Sequence, residues 1–135
     1  MGGETSFGGK EVVVLMQKTA ESTDRFEYRL LATSKTSTME KEIQEAAKGG
    51  FDYIGQTVFE TAFGGNEVSV ILERDLSSSG RRRFEYKLIA TSKTSTLQKE
   101  LQGIGSQGYE ALGMTVGQTA IGGSEVVVIL RRPLR

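Results

Sequence analysis

The chain has 135 residues, in which 17 Lys and Arg balance 17 Asp and Glu, and it contains neither Cys nor His. That length supports one core but not two large independent ones, and the neutral balance creates no global field toward nucleic acid, a membrane or acidic partners. Disulfides, thiolate nucleophiles, Cys/His zinc sites, His-based triads and imidazole proton shuttles are excluded. The carboxylates, Lys, Tyr and Ser/Thr that remain form no recognisable acid–base pair, so a non-enzymatic protein without a cofactor or metal is expected.

The N-terminal MGGETSFGGKE has neither a basic n-region nor an apolar h-region, and no apolar run reaches membrane-spanning length. The expectation is therefore a chain without a targeting signal or a membrane segment, its compartment left open. In EVVVLMQK, Val12, Val14 and Met16 alternate with Val13 and Leu15, a strand apolar on both faces. We expect it to pair by hairpin with RFEYRLLA through the KTAESTD connection. In RFEYRLLA, Phe26, Tyr28 and Leu30 fall on one face and Arg25, Glu27 and Arg29 on the other, which is half-buried strand alternation.

A helix follows over TSTMEKEIQEAAK, where Met39, Ile43, Ala46 and Ala47 form one apolar stripe and Gly49–Gly50 supplies a left-handed stop. FDYIGQTVFE and NEVSVILER then read as a hairpin around the Gly-Gly of TAFGGNE. The unit is βαββ.

The unit repeats. Residues 25–74 align without gaps on 83–132, and 29 of the 50 pairs are identical. A partial third copy opens the chain, where TSFGGKEVVVLM answers to TAFGGNEVSVIL. In the second helix, Leu97, Leu101 and Ile104 repeat the stripe, but Gly103 and Gly105 predict a shorter or looser helix. The expected organisation is one compact domain over 1–135, with a partial-repeat strand in 1–20, one repeat in 21–76 and the other in 77–135. The expected class is α+β, a mainly antiparallel sheet with two helices on one face. Because Val126, Val128 and Leu130 alternate with Val127 and Ile129, the face away from the helices should be covered too, by sheet curling or by another chain. A homo-oligomer follows from that expectation. Since Met1 aligns near Thr57, inside a strand, the chain is also expected to be part of a longer protein with a further unit upstream.

FEYKLIA, TLQKELQGIGSQGYEALGMTV and GGSEVVVILRR together resemble the small bacterial proteins grouped as domain of unknown function 4177, with an aromatic first strand, a short Leu-rich helix ending near Gly-Tyr, and a closing hairpin. Tandem proteins of soil bacteria with ATSKTST-like and TAFGG-EVVV-like segments are similar as well. The resemblance implies a βαββ unit and no activity, cofactor or site residues.

The segment ATSKTST is identical in the two repeats. Ser37 with Glu40, and Ser95 with Gln98, fit a capping box. Thr33, Ser34, Lys35, Thr36 and Ser37, with Thr91, Ser92, Lys93, Thr94 and Ser95, also surround a Lys with hydroxyls at a helix start. That composition suits a small anion such as phosphate or sulfate, although the glycines of a phosphate-cradling loop are lacking. The function expected from the chain is thus an interaction or assembly module, with anion binding as the alternative. SSSGRRR at 77–83 and RRPLR at 131–135 are basic but carry no recognition motif, so no nucleic-acid partner is expected. Glu27 and Glu85, flanked by cations, read as cross-strand ion-pair partners.

Overall fold

A computed structural model describes residues 2–4, 10–60, 66–78, 83–118 and 123–134. Met1, the Gly-Gly turn of TAFGGNE and most of SSSGRRR lie outside the described residues. The elements are β1 (Gly2–Glu4), β2 (Lys10–Val12), β3 (Phe26–Thr33), α1 (Thr36–Lys48), β4 (Asp52–Glu60), β5 (Asn66–Asp75), β6 (Phe84–Thr91), α2 (Thr94–Gly105), β7 (Glu110–Gln118) and β8 (Ser124–Pro133).

The protein is α+β, with two successive βαββ units as expected. Each unit forms its own three-stranded antiparallel sheet, ordered β3-β5-β4 and β6-β8-β7. The last strand of the unit is central, and the first strand is left as an edge. The described strands thus divide into two unit sheets and a small β1–β2 pair, where one shared sheet was expected. The EVVVLMQK hairpin is also corrected: β2 pairs with β1, while β3 pairs with β5 from Phe26↔Asp75 to Thr33↔Val68. The closing strand of each unit already satisfies the inner side of its first strand.

The N-terminal pairing Gly2↔Val12 and Glu4↔Lys10 has the register of Val58↔Val68 and Glu60↔Asn66. β1 and β2 lie against β4, and β4 in turn lies against β7.

The helices occupy different layers, which corrects the expectation that they share a face. Met39, Ile43, Ala46 and Ala47 of α1 pack on Val70 and Leu72 of the first sheet and on Tyr86 and Ile129 of the second. α1 is therefore held between two sheets, and Met39 and Ile43 are 0% and 1% exposed. Full burial of such a side chain contributes about 1.5–3 kcal/mol. α2 covers the opposite face of the second sheet, where Leu97, Leu101 and Ile104 pack on Ile89, Tyr109, Val128 and Leu130. Among the described residues only one of its sides is covered, and none of its own residues is fully buried. The doubly apolar pattern of β8 now has a cause: Ile129 faces α1, Val128 and Leu130 face α2, and Val127 is itself only 3% exposed.

Helix α1 ends as its glycines predict, with Gly50 at φ 88°; Gly108 takes the same conformation at φ 89° after α2. The aromatic that follows is clamped by cations in both units. Arg29 and Arg74 lie 4.4 and 4.7 Å from the Phe51 ring centre, while Arg132 and Lys87 lie 4.6 and 5.3 Å from that of Tyr109. The acidic strand residues complete each clamp: Glu27 pairs with Arg74, and Glu85 with Arg132 at 2.8 Å.

Candidate interaction surface

The surface is best defined by comparing equivalent positions of the two units. Because β6 is an edge strand, every second backbone N–H points away from β8. Two of these are capped by α1: Leu88 N–H donates to Glu40 Oε2 and Tyr86 N–H to Gln44 Oε1, both at 2.9 Å. This protects an edge that would otherwise offer a template for strand pairing. The apolar side chains beside it are covered by the same helix, and Tyr86 is only 3% exposed.

A polar node closes this junction. The Tyr86 hydroxyl donates to the Asp52 carboxylate and accepts from Tyr53 N–H at 3.0 Å. Arg131 bridges Asp52 at 2.7 Å and Glu110 at 2.9 Å. Gln56 Nε2 donates to Thr115 Oγ1 at 2.9 Å and to the Val127 carbonyl at 3.2 Å. Burial and the Asp52 carboxylate push the Tyr86 pKa far up. Burial opposes the Arg131 charge, but the Glu110 and Asp52 carboxylates outweigh it and raise the guanidinium pKa. β4 and β7 approach closely enough that a Cβ on Gly113 would overlap the Tyr53 hydroxyl.

In the first unit the same positions are open. Tyr28, the counterpart of Tyr86, is 45% exposed, and Leu30, the counterpart of Leu88, is 65% exposed. Phe26 and Ile54 are exposed too, and Ile71, matching the buried Ile129, is half-buried. Among the described residues, no side chain caps the outward N–H groups of Tyr28 and Leu30. Leu30, Ile54 and Ile71, with Val13, Val14 and Leu15, line an open apolar groove of about 200 Å³. Gly55, matching Gly113, has nothing within 4 Å of a built Cβ. At its rim, Glu73 stands where the second unit has Arg131 and raises the Tyr28 pKa through its hydrogen bond and charge.

The two identical loops lie elsewhere. Thr33 and Thr91 end their strands, Ser34 and Ser92 form bends, and Lys35 and Lys93 occupy the N-cap positions. The Thr33 and Thr91 hydroxyls accept from the Lys35 and Lys93 N–H groups at 3.1 and 3.2 Å. Thr36 and Ser37, like Thr94 and Ser95, are already helical, and neither helix has a side-chain cap. The capping box is thus corrected: Ser37 and Ser95 lie two residues past the N-cap, and Glu40 reaches forward to Leu88 of the next unit instead of back to its own helix start.

Sequence reasoning missed the Glu40 and Gln44 caps because their targets lie 48 and 42 residues away. The usable signal was acidic or amide identity at both places in both helices, Glu40/Gln98 and Gln44/Gln102. The basic C-terminal segment is also engaged, with Arg131 and Arg132 in ion pairs. No helix among the described residues is long and apolar enough to cross a membrane. Compared with protein-family models, curated proteins and solved structures, the chain matches none.

Proposed function

We propose that the protein is a non-enzymatic interaction or assembly module whose contact surface is the outer face of the β3-β5-β4 sheet with the open edge of β3. The observation that supports this is the contrast between near-identical strands: Tyr86 is 3% exposed beneath a helix, and Tyr28 is 45% exposed with none. An apolar patch beside unpaired backbone donors marks a contact site. Burial of the face between copies, as a homo-oligomer, is one form of this function, and docking of another protein is the other. Light scattering and hydrophobic-dye binding on the wild type and Leu30→Asp test it. The variant should bind less dye and lose any association; unchanged behaviour in both measurements would remove the proposed surface.

Anion binding at Thr33–Ser37 and Thr91–Ser95 has weaker support. The Thr33 and Thr91 hydroxyls already accept from the Lys35 and Lys93 N–H groups, and the case rests on the Lys35 and Lys93 side chains with the uncapped helix N–H groups. Stabilisation by phosphate or sulfate that disappears in the Lys35→Ala, Lys93→Ala double variant would favour it; its absence in the wild type would eliminate it.

A further inference from the structure

We infer that the outer face and open edge of the β3-β5-β4 sheet bind an amphipathic helix of a partner protein, an inference that rests on the proposed role of this face as a contact surface. The template is internal. α1 seats Met39 and Ile43 against the second sheet while Glu40 and Gln44 cap the edge N–H groups of Leu88 and Tyr86. The first sheet presents the same surface, with Leu30, Tyr28 and Ile71 at the matching places and the corresponding N–H groups pointing outward. The fitting helix has apolar residues at i, i+4 and i+7 or i+8, with Glu or Gln at i+1 and i+5.

One position distinguishes this partner from α1. Where Asp52 meets Arg131 at 2.7 Å, the first sheet carries Glu73. The partner therefore places Lys or Arg where α1 is followed by Asp52. That requirement separates it from a second copy of this chain. α2 has the right stripe, with Gln98 and Gln102 at the acceptor positions, but Glu110 follows it and would face Glu73. Moreover, β1 and β2 already lie against β4, in the place that the β7–β8 hairpin attached to α2 would need.

The test uses a labelled peptide of residues 35–54 with Asp52→Lys. A lactam between Lys41 and Glu45, both exposed in α1, preorganises the helix, because a segment this short is marginally helical alone. Fluorescence anisotropy measures its binding to the full chain, alongside the same peptide retaining Asp52. The Asp52→Lys peptide should bind several-fold more tightly to the wild type. That order should reverse with the Glu73→Arg chain, and both peptides should lose binding to Leu30→Asp. Circular dichroism confirms that each chain variant is folded; should Leu30→Asp unfold, Leu30→Ser replaces it. Absence of binding by either peptide, binding that survives the Leu30 change, or an order indifferent to residue 73 would overturn the helix inference. If the peptides fail while light scattering shows association abolished at Leu30, the contact surface stands and its occupant is another copy. If dye binding and association both ignore Leu30, the surface itself fails.

Discussion

The Tyr86 hydroxyl donates to the carboxylate of Asp52, a residue of the other repeat, and the same oxygen accepts from Tyr53 N–H. Its counterpart Tyr28 is in the exposed face of the first sheet. Tyr86→Phe should therefore destabilise the protein by about 1.5–3 kcal/mol, the range for losing a hydrogen bond to a charged group. Tyr28→Phe should stay within about 0.5 kcal/mol. Urea unfolding of the two variants reads the difference, and equal effects would contradict the one-sided burial.

The same tyrosine sets an alkaline dependence. Its pKa is raised in the folded state above the ordinary 10.0, chiefly by burial. Above pH 10 the unfolded chain loses this proton first, so stability falls as pH rises through that region. Tyr86→Phe should flatten this fall, measured as the change of urea midpoint between pH 9 and about 11. An unchanged slope would show that other groups control it.

Gly113 and Gly55 occupy equivalent bulges with opposite surroundings. Gly113→Ala forces the Tyr53 hydroxyl aside and should cost about 1–3 kcal/mol. Gly55→Ala has open space and should be neutral or stabilising by up to about 1 kcal/mol, since Ala loses less backbone freedom than Gly. Thermal unfolding distinguishes the pair.

The uncapped helix starts can be improved. Lys35→Asp places an acceptor at an extended N-cap with φ −108° and ψ 114°, and should stabilise by about 1 kcal/mol. Ser37→Ala, inside the first turn, should change stability by less than about 0.5 kcal/mol. A larger loss from Ser37→Ala than from Lys35→Ala would restore Ser37 as the cap.

In α2, Gly103 has no atom within 4 Å of a built Cβ. Gly103→Ala should therefore stabilise by about 1 kcal/mol through helix propensity alone, read as a raised urea midpoint. A loss of stability would mean that this side of α2 meets something that Cβ disturbs.

Much of the local structure was legible in the residues. Met39, Ile43, Ala46 and Ala47 disclosed the buried stripe because helical spacing fixes which side chains share a face. The self-alignment of residues 25–74 on 83–132 defined the βαββ unit, and Gly49–Gly50 marked the left-handed stop of α1. The capping box at Ser37 was misplaced because hydroxyls at neighbouring positions look equivalent in sequence, whereas the helix starts at Thr36. What the chain could not disclose by itself was the layer order. Near-identical first-strand motifs, FEYRLLA and FEYKLIA, give one exposed and one buried tyrosine because burial belongs to whatever packs across the strand. Tertiary structure alone placed α1 between the sheets, sent Glu40 to the edge of β6, and left Tyr28 and Leu30 open. Periodicity specifies a face, but the long-range packing of another element decides whether that face meets a helix or solvent.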